Sequence, residues 1–488
     1  MSTDVVVVGT GPNGLAAAVT SARAGLRVEL FEAHDTIGGG LRTESLFDSE
    51  VVHDMCSAVH PMARASRFFQ QFDLGARGVD LRQPEIGYAH PLYRGEAALA
   101  YRDLERTCAG LGVDGDRWRD LMQPLVEHSA GVVDLVMRGP RAVPSDLVAP
   151  MLFATRVLAH GTPSAPSRFR TEAARALLTG VAAHSVRPLP SLAASAAAML
   201  LGHLAHVTGW AIPRGGSARI ADALAADITA HGGIFHTGRR IRSLRELPAA
   251  RTTLLDVSPK VFLEMAGNSL PAAYARRLHR FRYGPAAAKV DFLVSEPIPW
   301  ANPEVGKAGT VHLGGTQAEM FRQETLTNRG VATDEPFVLL VDPAVADPTR
   351  ARPGKRPVWA YAHVPNGDRR DPIDLVRDRV ERFAPGFADT VIAHRGISGA
   401  EYEAYNPNYV GGDISAGAMS LRQSILRPTP QFDPYRTPLP GVYLCSASTP
   451  PGPGVHGMSG YLAALSALRR DHGIRTAPDL APQPTHRR

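Results

Sequence analysis

The opening stretch of the chain alternates between two hydrophobic periods. Val5 to Val8 is an unbroken apolar, β-branched run ending at glycine, the pattern of a strand buried on both faces. Residues 12–23 follow with small apolar side chains at helical spacing, Pro12 suited to a first turn and Gly25 to a stop. Arg27 to Phe31 returns to the strand pattern, so residues 4–33 predict a βαβ unit. Farther on, residues 51–110 mix short strands and turns. Residues 115–208 carry helical patterns broken at Pro140, Pro144, Pro150, Pro163, Pro166, Pro188 and Pro190, which predicts an α-rich insert. Ile220, Leu224 and Ile228 mark another helix, and Ile234 to Leu244 predicts a strand returning to the first sheet. Lys289–Val294, Thr310–Leu313 and Val338–Val341 predict an antiparallel sheet. Gly441–Cys445 reads as a strand, followed by a glycine–proline loop and a helix from about Gly457 to Arg470. The tail, 471–488, has three prolines and few apolar residues and is expected to fray.

The longest apolar stretch, Ser191 to Val207, is mostly alanine and carries His203 and His206. Its plain reading is a buried helix; the other reading is a helix lying on a membrane surface, a peripheral contact.

With 488 residues, 44% hydrophobic and 20% charged, the chain has material for one large or two medium cores. The net charge of +6 is spread among acids without basic runs, which argues against a nucleic-acid partner. Cys56, Cys108 and Cys445 are too few for a disulfide framework, and no Cys/His spacing suggests a metal. A reducing, cytoplasmic setting fits, and the Val5–Val8 run lacks the basic flank of a signal peptide.

Gly9-Thr10-Gly11-Pro12-Asn13-Gly14 matches G-x-G-x-x-G between a predicted strand and a predicted helix, where the mechanism requires it. Gly9 permits the turn, Gly11 lets a pyrophosphate approach backbone N–H groups, and Gly14 lets the helix pack on the strand. Glu32 closes the second strand; its carboxylate suits ribose hydroxyls and repels a 2′-phosphate, favouring FAD or NAD over NADP. A third cluster, Gly38-Gly39-Gly40-Leu41-Arg42, brings backbone close to something flat or charged. That favours the longer, two-headed FAD. Gly452 to Gly457 formally repeats the motif, but too few residues follow to build a second nucleotide domain. A helix start there, around Gly457, Met458 and Ser459, would instead offer N–H groups to the electron-rich edge of a reduced flavin.

These glycine clusters together resemble the flavoprotein oxidoreductases that include phytoene desaturases, carotenoid isomerases and amine oxidases. The family places Arg directly after the second glycine pair, where this chain has Gly40 and then Arg42. RYGPAAAKVDF, PIPW and GTVHLGG resemble most the pyridine nucleotide-disulfide oxidoreductase domain-containing protein 2-like branch, although no redox cysteine pair lies between residues 100 and 400. The resemblance implies an α/β fold: a Rossmann-like, GR2-type FAD-binding domain from 1–75, 210–288 and 396–470, interleaved with an α+β substrate domain from 76–209 and 289–395. It implies FAD as cofactor, backbone near Arg240 and Ile241 at the adenine, and hydride transfer from a hydrophobic isoprenoid or lipid substrate, in a desaturase, dehydrogenase or isomerase. Ser446-Ala447-Ser448 stands where many relatives have an acid or Gly-Ala-Gly. His456 is the candidate acid–base group beside the ring, with a hydrogen-bonded loop residue as its plainer reading. His53, Asp54 and His60, in VVHDMCSAVHP, are candidates for the substrate entrance. The competing class is a binding or regulatory protein on the same scaffold, as GDP-dissociation inhibitors are; oligomeric state stays open.

Overall fold

The computed structural model describes residues 3–138 and 145–482, so the helix breaks expected at Pro140 and Pro144 and the last six residues of the tail lie outside the described residues. Two sheets organise the rest. The first is parallel and five-stranded, in the order Val442–Leu444, Thr252–Leu255, Val5–Val8, Val28–Phe31, Ile234–His236. The valines of its middle strand divide by alternation. Val5 and Val7 enter the core beneath the helices Pro12–Arg23, Ala218–Ala230 and Met458–Asp471, whereas Val6 and Val8 enter the one beneath Pro259–Ala266 and Ala272–His279. Each valine so buried contributes roughly 1.5–3 kcal/mol, which explains why so short a strand holds the centre of the sheet.

Two expectations change here. The strand predicted over Ile234–Leu244 ends at His236, where Gly238 turns the chain at φ +65°, and a 3-10 turn capped by Ser243 occupies Leu244–Glu246. The neighbour of Val5–Val8 on its other side is Thr252–Leu255, with Val5 opposite Thr252 and Val8 opposite Leu255. This strand is not among the elements that the sequence pattern predicts.

The second sheet has seven strands, in the order Val391–Ile397, Ala286–Val294, Arg356–Val364, Val338–Val341, Ala308–Leu313, Ile86–Pro91, Ala97–Tyr101. All its pairs are antiparallel except Ala308–Leu313 with Ile86–Pro91. Its two faces differ in chemistry. Val290, Phe292, Val311, Leu340, Val358 and Ala360 form an apolar core with the helix Ile373–Glu381, while the alternate residues Lys289, Asp291, Thr310, His312, Trp359 and Tyr361 face the other way.

The α-rich insert is present as the helices Gly115–Glu127, Ser129–Met137, Ala149–His160, Glu172–Ala183 and Leu192–Val207. Pro150 opens a helix where the sequence reading expected a break, since a proline in the first turn sacrifices no helical hydrogen bond. Ser191 caps Leu192–Val207 by accepting from the Ala194 N–H at 3.4 Å. Among the described residues no helix is long and apolar enough to cross a membrane. The tail also departs from expectation: Leu480 is buried and its carbonyl accepts from Arg77 Nη2 at 3.0 Å, anchoring the segment after the last helix.

Candidate functional site

A cavity of about 620 Å³ runs from the glycine turn after Val8 to the helix Leu192–Val207. Its first arm is built by the amino-terminal unit. Gly9 adopts φ +91°, and a Cβ on Gly14 would sit 2.1 Å from the Gly9 carbonyl, so both glycines are demanded by the turn and by helix–strand packing. Gly39 crosses the same turn: its Cβ would lie 2.9 Å from Gly11 Cα. The two glycine clusters, separate in sequence, thus form one close crossing. Gly9, Gly11, Pro12, Asn13, Gly39 and Gly40 all line the cavity, whereas Leu41 points into the core.

Glu32 lines the same arm. Its carboxylate accepts from the Thr10 N–H at 3.1 Å, from the Thr10 hydroxyl and from the His34 N–H, and it is ion-paired to Arg42 at 3.1 Å. Arg42 is itself buried and donates to the Thr36 carbonyl. The arginine two residues beyond the expected place therefore fixes the ribose-type acid. Arg239, Arg240 and Ile241 line the wall as well.

Asp256, which follows the unforeseen strand, is the residue that sequence reasoning missed here. Its Oδ2 accepts from the Gly14 N–H at 2.9 Å, and a Cβ on Gly11 would lie 2.7 Å from that oxygen. A carboxylate thus stands at the start of the first helix, where the unpaired N–H groups favour an anion. Burial pushes its pKa up from 3.8 to about 7, and Glu32 adds to the rise against the opposing pull of the Gly14 N–H. The only sequence signal was an acid immediately after the run Thr252-Thr253-Leu254-Leu255. Asn13 Oδ1 is buried without a partner beside it, a polar atom left for a ligand. Glycine crossing, ribose-type acid, lining arginines and orphaned amide together suit a dinucleotide.

The carboxy-terminal motif sits differently from the sequence expectation. The wall runs through Ser446, Ala447, Ser448, Pro453, Gly454 and Val455 and stops short of His456, Gly457, Met458 and Ser459. His456 is fully buried; its Nδ1 accepts from the Met458 N–H at 3.0 Å and its Nε2 lies 3.1 Å from the Gly452 carbonyl. Both ring nitrogens are consumed by the loop, and burial lowers its pKa to about 4, so it is a neutral structural residue and no acid–base group. Ser459 donates to the Thr449 carbonyl. The glycines answer to packing: a Cβ on Gly457 would meet Phe68 at 2.6 Å, and one on Gly460 would meet the Asn13 carbonyl at 1.8 Å. They let the closing helix press against the first.

Of the entrance candidates only His60 lines the cavity, and its Nε2 is engaged with the Ser217 hydroxyl at 2.8 Å. His53 meets the Phe292 carbonyl through Nε2, and neither it nor Asp54 reaches the wall. Asp54 is ion-paired with Arg350 at 3.1 Å, both side chains 1% exposed. Burial alone would raise its carboxyl, but Arg350, the Ser217 N–H and Thr43 together hold it below the usual range. Asp54 therefore clamps the two halves of the molecule. Resemblance alone suggested the entrance for this segment, and nothing local in VVHD tells that its acid is neutralised by an arginine nearly three hundred residues away.

The second arm of the cavity is apolar. Ala193, Ala196, Ala197, Leu200 and Leu201 present one face of the alanine-rich helix to it, opposite Leu339, Val341, Trp359 and Tyr361 of the seven-stranded sheet. Cys56 lines the junction and donates to the Tyr409 hydroxyl at 3.2 Å; all three cysteines are free, and burial raises the Cys56 thiol. A lone, protonated thiol cannot carry dithiol chemistry.

Residues 7–72 match the NAD(P)-binding Rossmann-like domain. The chain is homologous to pyridine nucleotide-disulfide oxidoreductase domain-containing protein 2 of Mus musculus, 25% identical over 552 residues that cover 96% of this chain and 93% of the relative. In three dimensions it resembles an oxidoreductase from Methanosarcina mazei, with TM-score 0.61, 15% identity and coverage of 96% of this chain and 100% of that one. It also resembles cyclohexylamine oxidase from Brevibacterium oxydans, with TM-score 0.55, 16% identity and coverage of 98% and 100%. The chain is thus a mixed α/β protein with a Rossmann-like domain and the fold shared by the Methanosarcina mazei oxidoreductase and cyclohexylamine oxidase.

Proposed function

We propose that the chain is an FAD-dependent oxidoreductase that removes hydride from a C–H bond of a predominantly apolar substrate. The observation that carries this reading is the continuity of the cavity. One void is lined both by the glycine crossing and ribose-type acid and by an alanine- and leucine-rich wall. FAD, when bound, supplies the hydride-accepting ring. The chain's own residues divide the remaining work. Glu32, locked by Thr10 and Arg42, orients the ribose end, and the glycine crossing with the unpartnered Asn13 amide meets the diphosphate. The wall of Ala196, Leu200 and Leu201 excludes water and holds apolar carbon in place, so that positioning supplies most of the catalytic demand.

Purified protein should be yellow, with bound flavin released on denaturation. Glu32→Ala and Gly11→Val should lose it, and a double variant with full flavin occupancy would refute the site. Anaerobic addition of fractionated cell lipids should bleach the flavin absorbance; a colourless protein that takes up no FAD would refute the reading.

A further inference from the structure

The inner end of the apolar arm is less greasy than its walls. Thr310 is 1% exposed, lines the cavity, and its Oγ1 has no hydrogen-bond partner. Two residues along the same strand and on the same face stands His312, whose Nε2 lies 2.8 Å from Nε2 of His184. His184 caps the helix Glu172–Ala183 and lines the cavity; its ring packs edge-on against Trp210, 5.3 Å between centroids, and among the described residues its hydrogen bond is made through Nε2, leaving Nδ1 free of one.

This arrangement is built into the surrounding fold. A Cβ on Gly180 would lie 2.8 Å from Nδ1 of both His312 and His90, so the helix approaches these rings only because that residue is glycine. His90 is tied through Nε2 to the Gly315 carbonyl at 2.7 Å, and His363 through Nδ1 to Glu324 at 2.6 Å. Burial holds His184 at a pKa of about 3 and His90 at about 4, and drives His312 well down, so these rings are neutral. In a neutral pair one Nε2 donates and the other accepts, which fixes the proton on His184 to one nitrogen or the other. Either tautomer leaves Nδ1 able to make one uncharged hydrogen bond.

Charge narrows the ligand. The charged side chains that line the cavity are Glu32, Arg42, Arg239, Arg240 and Asp256, all in the dinucleotide arm. An ammonium or carboxylate at the inner end would be desolvated without a counter-charge. Resting on the oxidoreductase reading above, we infer that His184 Nδ1 and Thr310 Oγ1 form a recognition point for an uncharged hydrogen-bonding group, a hydroxyl, carbonyl or amide, carried by an otherwise apolar substrate. Such a group would satisfy the Thr310 hydroxyl and place the chain of the substrate along the alanine face.

Trp210 and Trp359 line the cavity, so tryptophan fluorescence of the flavin-loaded protein reports occupancy. Titration with 1-decanol, 2-decanone, decane, decylamine and decanoate is expected to rank the alcohol and ketone at least tenfold tighter than the other three. His184→Leu and the near-isosteric Thr310→Val should each shrink that preference at least fivefold with flavin absorbance unchanged. Equal affinity for decanol and decane, tightest binding of decylamine or decanoate, or an undiminished preference in Thr310→Val would overturn the inference. Protein that retains flavin but shows no preference sinks this inference alone, whereas protein without flavin sinks the reading beneath it.

Discussion

The two arms of the cavity are made in opposite ways. The dinucleotide arm comes from backbone, with glycines that cross, N–H groups at a helix start, and one acid fixed by its neighbours. The substrate arm comes from side chains on one face of the seven-stranded sheet and two helices, with Gly180 letting its helix approach two imidazoles. Backbone recognition requires a continuous local motif, because successive N–H groups must converge. Side-chain recognition draws on strands far apart in sequence, so its residues carry no local signature.

Cutting the junction between the arms should have the largest effect. Arg350 and Asp54 come from the two halves and are both buried, so Arg350→Ala leaves an unpaired interior carboxylate and should cost about 3–5 kcal/mol, read by urea unfolding. Arg350→Leu combined with Asp54→Val should recover much of that loss; a double variant as unstable as the single one would show that the pair contributes more than neutralisation.

Asp256 sharpens the comparison within the backbone-built arm. Because the folded chain holds this proton to about pH 7 while an unfolded aspartate sheds it near 3.8, its contribution to stability falls as pH rises from about 4 to 7. Above pH 7 its charge also opposes a diphosphate. Asp256→Asn should therefore bind FAD roughly tenfold tighter than the parent at pH 8 and nearly equally at pH 5.5, by fluorescence titration. A pH-independent ratio would place the carboxyl away from the diphosphate. The smallest effect is expected at His456, whose nitrogens serve the loop: His456→Gln should change turnover by less than about threefold, and a larger fall would return it to the chemistry.

The first βαβ unit was readable from sequence because glycine turn, helix and acid lie within thirty residues and each has a steric reason. The helix Leu192–Val207 was readable as buried, but nothing in its alanines told which face would line a void. Thr252–Leu255 escaped because two threonines and two leucines carry little strand signal yet suffice for a short inner strand, and with it went Asp256. His456 answers to the plainer of its two readings, a hydrogen-bonded loop residue, and the glycines around it admit the closing helix. His184 and Thr310 had no readable signal, since their meeting depends on a helix and a strand more than a hundred residues apart.

The order of strands in the parallel sheet has a consequence for biosynthesis. Val5–Val8 is flanked by Thr252–Leu255, and the edge beyond it is Val442–Leu444, roughly 440 residues downstream. At translation rates of about 5–20 residues per second, Val5–Val8 waits roughly 12–50 s for its second strand partner, Thr252–Leu255, and longer for the edge strand that completes the sheet. Throughout that interval an all-valine strand stands incompletely covered, which makes the nascent chain a natural client for holding chaperones.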